Sequence, residues 1–492
     1  MRRYLKSISF AIERAANYHI PWNAYEKTLW ILSSVSWVLI LLSLCFFFMV
    51  LFSYLHTSNQ ILEIFAVCGL GCLFLGVLGT FAFPCPRISF VSTGDKALIT
   101  LFFWGIVSVI VSIPIYVHAP KQGFSAALFE GISCLTTTGV SLVSSKAPMP
   151  FMIEFWCVFI QWMGGIGIVL LSFALVPALK LNSNFILLNE FSQSFEKTTP
   201  RTRTMALHII FLYLGLTLVL TAGLWIGRRL SFQTCLHYSM SCISTGGIQA
   251  SYYPLTVLNF YEKFILTIGM ILGAIPFIKI FQRIYSVKKA LQDDQIRGYF
   301  LLFCVSFLVM CTNRCLTFDH MFSAVSCTTS TGFVCAPSLN NLSSLWCLGL
   351  VLLGGCSGSS AGGFKIFRFQ LMYRISKNKL LKIFHPKRFI ALKYNGKVVQ
   401  QEDIILLMTS IFIYSMGCFG VSLLFSFLGR SPKIACLLTF GLITNSGGGV
   451  YCISPYVQDF SVIEQWVGIF TMLLGRLEAV IVLFITSFIS FR

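Results

Sequence analysis

The sequence predicts an all-α polytopic membrane protein in which two leading transmembrane helices precede four helix–pore loop–helix repeats around one pore. The chain of 492 residues is 56% hydrophobic and only 11% charged, and its mean hydropathy is +0.81. These values leave too few charges for the surface of a water-soluble protein. Apolar runs of about 20 residues, long enough to cross the hydrocarbon layer, recur along the chain. Between the later runs, four short glycine-containing segments repeat one another.

The apolar runs predict ten membrane spans. They lie at 29–55, 61–83, 97–118, 153–179, 204–226, 260–281, 298–317, 344–364, 402–428 and 462–490. The start of the chain, from Met1 to Lys27, is basic and mixed and has no apolar core ahead of a small-residue cleavage site. We therefore expect the first span to be retained as the insertion signal.

The net charge of +19 is distributed unevenly. Lysine and arginine cluster before the first span and in alternate loops, above all between Arg374 and Lys397, whereas the other loops are poor in both. By the positive-inside rule, this asymmetry predicts that both termini are cytoplasmic. The basic residues do not form the continuous face that nucleic acid requires, so we expect membrane lipids and no nucleic acid as surroundings.

The 18 cysteines do not predict a disulfide framework. Most of them fall inside apolar spans, where a free thiol behaves as a small hydrophobic group. Cys311 and Cys315 have the wrong spacing for a zinc ligand pair, and no histidine cluster accompanies them. We expect neither structural disulfides nor a transition-metal site.

Four segments combine a small hydroxyl or amide residue with glycine, and they are Thr136–Val140, Ser244–Ile248, Ser330–Val334 and Asn445–Gly449. A short helical segment precedes each one, at 125–135, 232–243, 319–329 and 433–444. These segments are too short to cross a bilayer, and non-helical backbone at membrane depth survives only where protein buries it or where it lines a watery path. Four such re-entrant turns around one axis can form a ring of carbonyl oxygens that replaces the water shell of a cation. A single glycine of this kind is more often a packing contact or a helix interruption. Four copies at equivalent positions favour a shared pore instead.

The repeats divide the chain into five parts. We expect a two-helix extension at 1–94, followed by pore repeats at 95–200, 201–296, 297–400 and 401–492. Within the third repeat, the run Gly354–Gly363 is so rich in Gly and Ser that a helix there would be destabilised, at close to 1 kcal/mol for each Gly relative to Ala. The run is expected to unwind; close packing between helices is the alternative.

Arg476 lies within an apolar span, where a charge is costly. It is therefore expected to face a water-filled cavity or to bond with buried backbone carbonyls. Glu478, two positions away, would lie on another face of the helix and is not assumed to be its partner.

Several of these motifs, in this order, resemble the membrane subunit of the Trk-type potassium uptake systems, in the superfamily that also holds the Ktr and plant high-affinity transporters. The resemblance covers about residues 95–490. The matching stretches are Ala127–Glu130 running into Leu135–Gly139, then Gln161–Gly167, Gly354–Lys365 and Leu473–Glu478.

The resemblance implies a potassium-binding set made of backbone carbonyls. That set is Thr137, Thr138, Gly139, Ser244, Thr245, Gly246, Ser330, Thr331, Gly332, Asn445, Ser446 and Gly447. It also implies a gate across the permeation path, formed by Gly354, Gly355, Ser357, Gly358, Ser359, Gly362, Gly363, Lys365 and Arg476. Potassium would be the substrate, with no catalytic cofactor.

The resemblance further implies a homodimer in the inner (cytoplasmic) membrane, with a pore in each protomer. A cytosolic ring of nucleotide-binding regulatory subunits, similar to TrkA, would dock on basic loops such as 370–400. Potassium uptake would be driven by the membrane potential or a coupled ion (symport). A sodium-permeable transporter of the same fold is the alternative, and a multi-span membrane enzyme is a third possibility. The sequence contains no catalytic triad, carboxylate pair or phosphate loop that would favour the enzyme.

Overall fold

The computed structural model describes residues 24–54, 59–83, 93–143, 149–175, 202–283, 293–312, 317–333, 335, 341–385, 391–446 and 453–477. Helices dominate these ranges. Two strands of two residues each, β1 (Lys393–Tyr394) and β2 (Lys397–Val398), pair as an antiparallel hairpin. The predicted all-α class is confirmed.

The chain separates into two compact units, 1–105 with 487–492, and 106–486. The first unit contains α1 (Ala24–Tyr54), α2 (Asn59–Ala82) and the start of α3 (Thr93–His118). Helices α1 and α2 pack along one another. Their outer faces carry exposed apolar side chains such as Leu41 and Phe74. Exposed apolar helix faces are suited to contact with lipid tails rather than water.

The second unit continues from α3 through fourteen further described helices. They are α4 (Phe124–Leu135), α5 (Phe151–Leu175), α6 (Thr202–Ile226), α7 (Phe232–Ile243), α8 (Phe260–Ala274), α9 (Phe277–Arg283), α10 (Asp294–Thr312), α11 (Phe318–Thr328), α12 (Asn341–Leu353), α13 (Ile366–Phe384), α14 (Gln401–Phe427), α15 (Pro432–Ile443), α16 (Ser454–Gln458) and α17 (Val462–Arg476).

The four short helices predicted before the glycine segments are α4, α7, α11 and α15, which we call pore helices 1 to 4. Their observed bounds agree with the predicted ones to within one residue. Pore helices 1 to 3 pack against the helix that follows each of them, namely α5, α8 and α12, and pore helix 4 packs against α17, the second helix after it. Pore helices 2 to 4 also pack against the second helix of the preceding repeat, and α17 closes the ring by packing against pore helix 1.

Six described helices are long and apolar enough to cross a membrane. They coincide with the first five predicted spans and with the ninth. The predicted span 260–281 is not one continuous helix, because α8 ends at Ala274 and α9 begins at Phe277. Pro276 accounts for the break, since proline lacks the N–H that continues a helix and disfavours helical backbone at the residue before it.

The hairpin is attached to the start of α10 by a reciprocal set of hydrogen bonds. The Asp294 N–H donates to Asn395 Oδ1 at 2.8 Å, and the Asn395 N–H donates back to Asp294 Oδ2 at 2.8 Å. Arg374 Nη2 lies 3.0 Å from Asp294 Oδ1. Burial alone would raise the pKa of the Asp294 carboxyl, but the bonds from Arg374 and Asn395 outweigh it and lower that pKa.

Asp294→Asn should therefore lower the thermal stability of the protein at neutral pH. The stability that the lowered pKa contributes is present above the ordinary aspartate value of about 3.9 and is lost as pH falls through the folded-state pKa. The pair is partly exposed, so we expect a modest effect, of about 1 kcal/mol or less. Melting temperatures of parent and variant at pH 7 and at pH 2 measure it, and an equal difference between the two proteins at both pH values would contradict the ionic explanation.

Candidate functional site

All four pore helices end in the same hydrogen-bonded turn. In repeat 1, the Thr137 N–H donates to Cys134 O at 3.0 Å and the Thr138 N–H donates to Ser133 O at 2.8 Å. The same pair of bonds ends pore helices 2, 3 and 4, at Thr245 and Gly246, Ser330 and Thr331, and Asn445 and Ser446. This is the Schellman motif, which stops a helix by turning one residue into the left-handed region.

The left-handed residue in each turn is not glycine. Thr137, Thr245, Ser330 and Asn445 have φ values of 58°, 52°, 54° and 50°. All four are buried. Left-handed backbone costs a non-glycine residue of order 1 to 3 kcal/mol and persists only where the surrounding structure imposes it. Four equivalent strained turns therefore mark one shared site at the ends of the pore helices.

Two residues after the left-handed position of repeats 1 and 2, a glycine meets the neighbouring segment. A Cβ added to Gly139 would overlap the carbonyl oxygen of Gly246, and a Cβ added to Gly247 would overlap that of Thr331. Both glycines also have positive φ, at 74° and 73°. Only glycine fits such backbone. The segments of repeats 2 and 3 each bring a carbonyl oxygen directly against the segment of the preceding repeat.

The four turns align the repeats and shift the predicted set in repeat 2 by one residue. Thr245 takes the position of Thr137, so Ser244 corresponds to Thr136, and Gly247 corresponds to Gly139. Gly247 was absent from the predicted set. The repeated Gly246-Gly247 pair concealed this alignment, because either glycine fits the sequence pattern. Gly447 lies outside the described residues.

The Gly354–Gly363 run and Lys365 occupy the non-helical segment between α12 and α13, which we call the crossing loop (354–365). It contacts three of the four pore-helix ends. Ser360 Oγ lies 2.8 Å from Ile243 O, the Gly362 N–H donates to Ser330 Oγ at 2.6 Å, and the Gly363 N–H donates to Thr444 O at 2.8 Å.

The crossing loop also fills the break between α8 and α9. The Cys356 N–H donates to Ala274 O and the Phe277 N–H donates to Gly358 O, each at 3.2 Å. Lys365 Nζ donates to Ala361 O within the loop. The loop is thus held by backbone bonds to repeats 2 and 4 as well as to its own repeat. Its remaining predicted residues, Gly354, Gly355, Ser357 and Ser359, belong to the same segment.

Arg476 is buried and is bonded to the crossing loop. Its Nη1 donates to Ser360 O at 3.0 Å. Its Nε and Nη2 have no hydrogen-bond partner within the described part of the chain. The guanidinium therefore uses one backbone carbonyl and leaves other donors unpaired, next to the loop that contacts the pore-helix ends. Glu478 lies outside the described residues.

Two buried carboxylates brace the chain beyond the turns. Glu130 Oε2 accepts the N–H groups of Leu142 and Val143, at 2.8 and 3.1 Å. Glu154 accepts the N–H and the hydroxyl of Ser251, at 2.7 and 2.9 Å. Their sequence positions gave no sign of these partners, which lie 12 to 97 residues away. Both carboxylates serve the backbone of the site and are not arranged as an acid–base pair.

Three buried side chains of metal-ligating type, which the sequence did not single out, lie close together near the end of pore helix 1. Ligand atoms of Glu130, Cys134 and Cys157 all lie within 4.8 Å of one another, and all three residues are buried. Cysteine and glutamate can ligate zinc, but a structural zinc site has four ligands, and Glu130 Oε2 already accepts two backbone N–H groups. The fourteen cysteines that the structure describes as free include this pair.

Comparisons with known proteins agree with this geometry. The family model "TrkH: Cation transport protein" matches residues 72–318, half of the chain. The Trk system potassium uptake protein TrkI of Halomonas elongata is 26% identical over 407 residues, covering 78% of this chain and 82% of that protein. The corresponding TrkH protein of Vibrio parahaemolyticus is 27% identical over 409 residues, covering 78% and 83%.

A solved structure supports the same fold. The crystal structure of the potassium transporter TrkH from Vibrio parahaemolyticus superposes with a TM-score of 0.82 at 24% identity, over 94% of this chain and 98% of that one. The predicted resemblance is thereby confirmed, and the family is one of transporters rather than enzymes. The chain belongs to the TrkH family of cation transport proteins.

Proposed function

We propose that this chain carries potassium into the cell through a filter formed by the four equivalent turns. The observation that supports it most strongly is the fourfold recurrence of one strained turn at the ends of converging pore helices. Backbone carbonyls that follow each turn replace the hydration shell of a potassium ion. The carboxyl ends of the pore helices add partial negative charge at the same place.

The proposed filter set is the predicted one with Gly247 in place of Ser244, so that repeat 2 contributes Thr245, Gly246 and Gly247. Adjacent segments already approach one another through carbonyl oxygens, at Gly246 O beside Gly139 and at Thr331 O beside Gly247. Four segments in this arrangement present oxygen ligands to one axis. The potassium uptake proteins named above as relatives support potassium as the ion.

The crossing loop and Arg476 form the proposed gate. The loop joins the ends of three pore helices, and the bond from Arg476 to Ser360 O holds a positive charge against it. A fixed positive charge beside the path raises the barrier for a cation. Movement of the loop away from the pore-helix ends would open the path.

We further propose the setting in which the pore operates. The uneven distribution of Lys and Arg supports cytoplasmic termini, and an inner-membrane location follows from the resemblance to Trk systems. A homodimer, and a cytosolic ring of nucleotide-binding subunits on the 370–400 segment, follow from the resemblance to Trk systems. Uptake is driven by the membrane potential or by a coupled ion.

Ion flux into liposomes containing the purified protein tests the proposed function. The vesicles are loaded with potassium, and uptake of tracer rubidium from outside is measured. We expect external potassium to inhibit this uptake more strongly than external sodium does. Equal competition by sodium would favour a poorly selective cation transporter of the same fold. No flux above protein-free vesicles, with or without an imposed potential, would contradict transport.

Removing Gly358 and Ser359 should raise basal flux several-fold without changing the preference among cations. The shortened loop can no longer reach both the break between α8 and α9 and the ends of the pore helices. The four filter turns keep their own Schellman hydrogen bonds. Rubidium uptake per folded protein measures the rate, and sodium competition measures the preference. A folded variant that conducts no faster than the parent would identify the loop as a packing element.

A further inference from the structure

A pair of hydroxyl groups supports the turn in three of the four repeats. Thr136 Oγ1 and Thr138 Oγ1 lie 2.8 Å apart in repeat 1. The equivalent hydroxyls lie 2.7 Å apart in repeat 3 and 3.0 Å apart in repeat 4, between Thr329 and Thr331 and between Thr444 and Ser446. Each pair joins the C-cap residue of a pore helix to the filter residue two positions later, and so restrains the filter backbone.

Repeat 2 lacks this pair because its second member is Gly246. Ser244 Oγ instead donates to Ser241 O at 3.2 Å, back along the pore helix. The Gly246 N–H keeps its bond to Ser241 O at 3.0 Å, but without a side chain at this position the segment would border a void and lack the hydroxyl pair of the other repeats. Another part of the chain fills that space.

Gln161 of α5 occupies the place where a side chain of residue 246 would lie. A Cβ added to Gly246 would overlap the Gln161 side chain, with Cγ at 2.5 Å and the amide group closer still. The Gln161 Nε2 would also lie 3.3 Å from a Cβ added to Gly139 in the neighbouring segment. The amide is therefore wedged behind two adjacent filter segments.

The polar character of this side chain is unusual for its position. Gln161 is fully buried, and neither its Nε2 nor its Oε1 has a hydrogen-bond partner within the ranges that the structure describes. An unpaired buried amide costs about 1 to 3 kcal/mol, which a methionine of similar length would avoid. The equivalent helix positions, three residues before the glycines that meet pore helices 2 and 4, carry Met270 and Met472, both buried.

The space behind each filter segment is therefore filled in one of two ways. Where the filter residue carries a hydroxyl, as Thr331 does, it pairs with a hydroxyl of its own repeat; the Thr138 hydroxyl also accepts from Asn445 Nδ2 of repeat 4 at 3.0 Å. Where the filter residue is Gly246, a glutamine from the preceding repeat stands in its place. Resting on the proposed filter, we infer that Gln161 is a positioning residue that substitutes for the missing hydroxyl side chain of repeat 2 and thereby sets ion selectivity.

The physical role follows from the location of the amide. Its volume prevents the Gly246 backbone from moving outward, and its dipole lies beside a peptide that has no hydroxyl to restrain it. Selectivity depends on the number and field strength of carbonyl ligands held around the ion. A displaced carbonyl in one of four segments would favour potassium less strongly over the smaller sodium ion.

A double-variant experiment tests this inference. The variants are Gln161→Ala, Gln161→Met, Gly246→Ser and the combination of Gln161→Ala with Gly246→Ser. We expect Gln161→Ala, which removes both the volume and the amide, to lower the potassium-to-sodium flux ratio about tenfold, equivalent to ~1.4 kcal/mol of differential stabilisation. Gln161→Met keeps most of the volume and loses the amide, so we expect a smaller loss, of about fivefold. Gly246→Ser alone should also impair the ratio, because its side chain overlaps Gln161.

The combined variant should recover the ratio to within about threefold of the parent, since Ser at position 246 can pair with Ser244 as Ser446 pairs with Thr444. Met270→Ala is the matched control. It opens a space at the equivalent position of α8 but leaves the Thr329–Thr331 pair intact, so its ratio should stay within about threefold of the parent.

Flux is measured per folded protein in liposomes, as a ratio of potassium to sodium. Parent-like selectivity in Gln161→Met, or a combined variant no better than Gln161→Ala, would overturn the role of Gln161. The ratio is defined whichever ion the parent prefers. A parent that prefers sodium would overturn the potassium proposal, while the effect of Gln161 on the ratio would still be read from the same variants.

Discussion

Gly139→Ala is expected to abolish selective potassium flux, with at least a tenfold loss in rate per folded protein. The added Cβ would overlap the carbonyl oxygen of Gly246 in the neighbouring segment, and alanine at φ 74° is itself strained. Neither segment can move away freely, because a Schellman turn fixes each one at its pore helix. The filter must distort at one of its carbonyl ligands.

Rubidium uptake in liposomes, together with size-exclusion profiles, measures this effect. Gly167→Ala is the matched control, since a Cβ on this glycine of α5 would meet no atom within 4 Å. The control should transport at close to the parental rate. A Gly139→Ala variant that is folded and equally fast and selective would show that residues 137–139 do not line the path.

Arg476→Ala is expected to increase maximal cation flux about tenfold. A unit positive charge about 4 Å from a permeating cation costs on the order of 1 to 4 kcal/mol, for effective dielectric constants from that of water to about 20. A barrier lowered by ~1.4 kcal/mol gives a tenfold rate. The substitution also removes the bond to Ser360 O and so releases one anchor of the crossing loop.

Arg476→Lys separates the two contributions. Lysine keeps the charge, so most of the electrostatic barrier should remain even if the geometry of the bond to the loop changes. Rubidium uptake normalised to folded protein compares both variants with the parent. A purely structural arginine would give lower folded yield in Arg476→Ala with no gain in flux per molecule, and that outcome would contradict the gate.

The architecture of the second unit follows closely from local sequence signals. The pore helices could be bounded to within one residue because each lies between a polar loop and a Gly-centred segment. The non-helical run at 354–365 was foreseeable for a related reason, since Gly and Ser at such density destabilise a helix. These features are encoded within a few neighbouring residues.

The features that were missed depend on contacts between distant parts of the chain. Left-handed backbone at Thr137, Thr245 and Ser330 contradicts local preference and is imposed by tertiary structure. The alignment of repeat 2 required the hydrogen-bond pattern, because two adjacent glycines fit the sequence equally well. The break between α8 and α9 could have been predicted from Pro276, which stands inside an otherwise continuous apolar run.

Gln161 illustrates the limit of a motif for predicting function. The sequence places it in a stretch that resembles Trk systems, next to glycines that permit close helix contact. Only the structure places its amide behind Gly246, in a space that hydroxyl side chains fill in the other repeats. Gly246 therefore explains both why repeat 2 lacks the hydroxyl pair and why the unpaired amide of Gln161 is buried at this place.

The central claim is that backbone carbonyls of the four turns hold the permeating ion. Anomalous diffraction from crystals soaked in rubidium tests it most directly. The account predicts density on the axis between Thr137–Gly139, Thr245–Gly247, Ser330–Gly332 and the turn that begins at Asn445, with carbonyl oxygens as the nearest atoms. Rubidium bound elsewhere in the membrane region, or coordinated mainly by side chains, would contradict it.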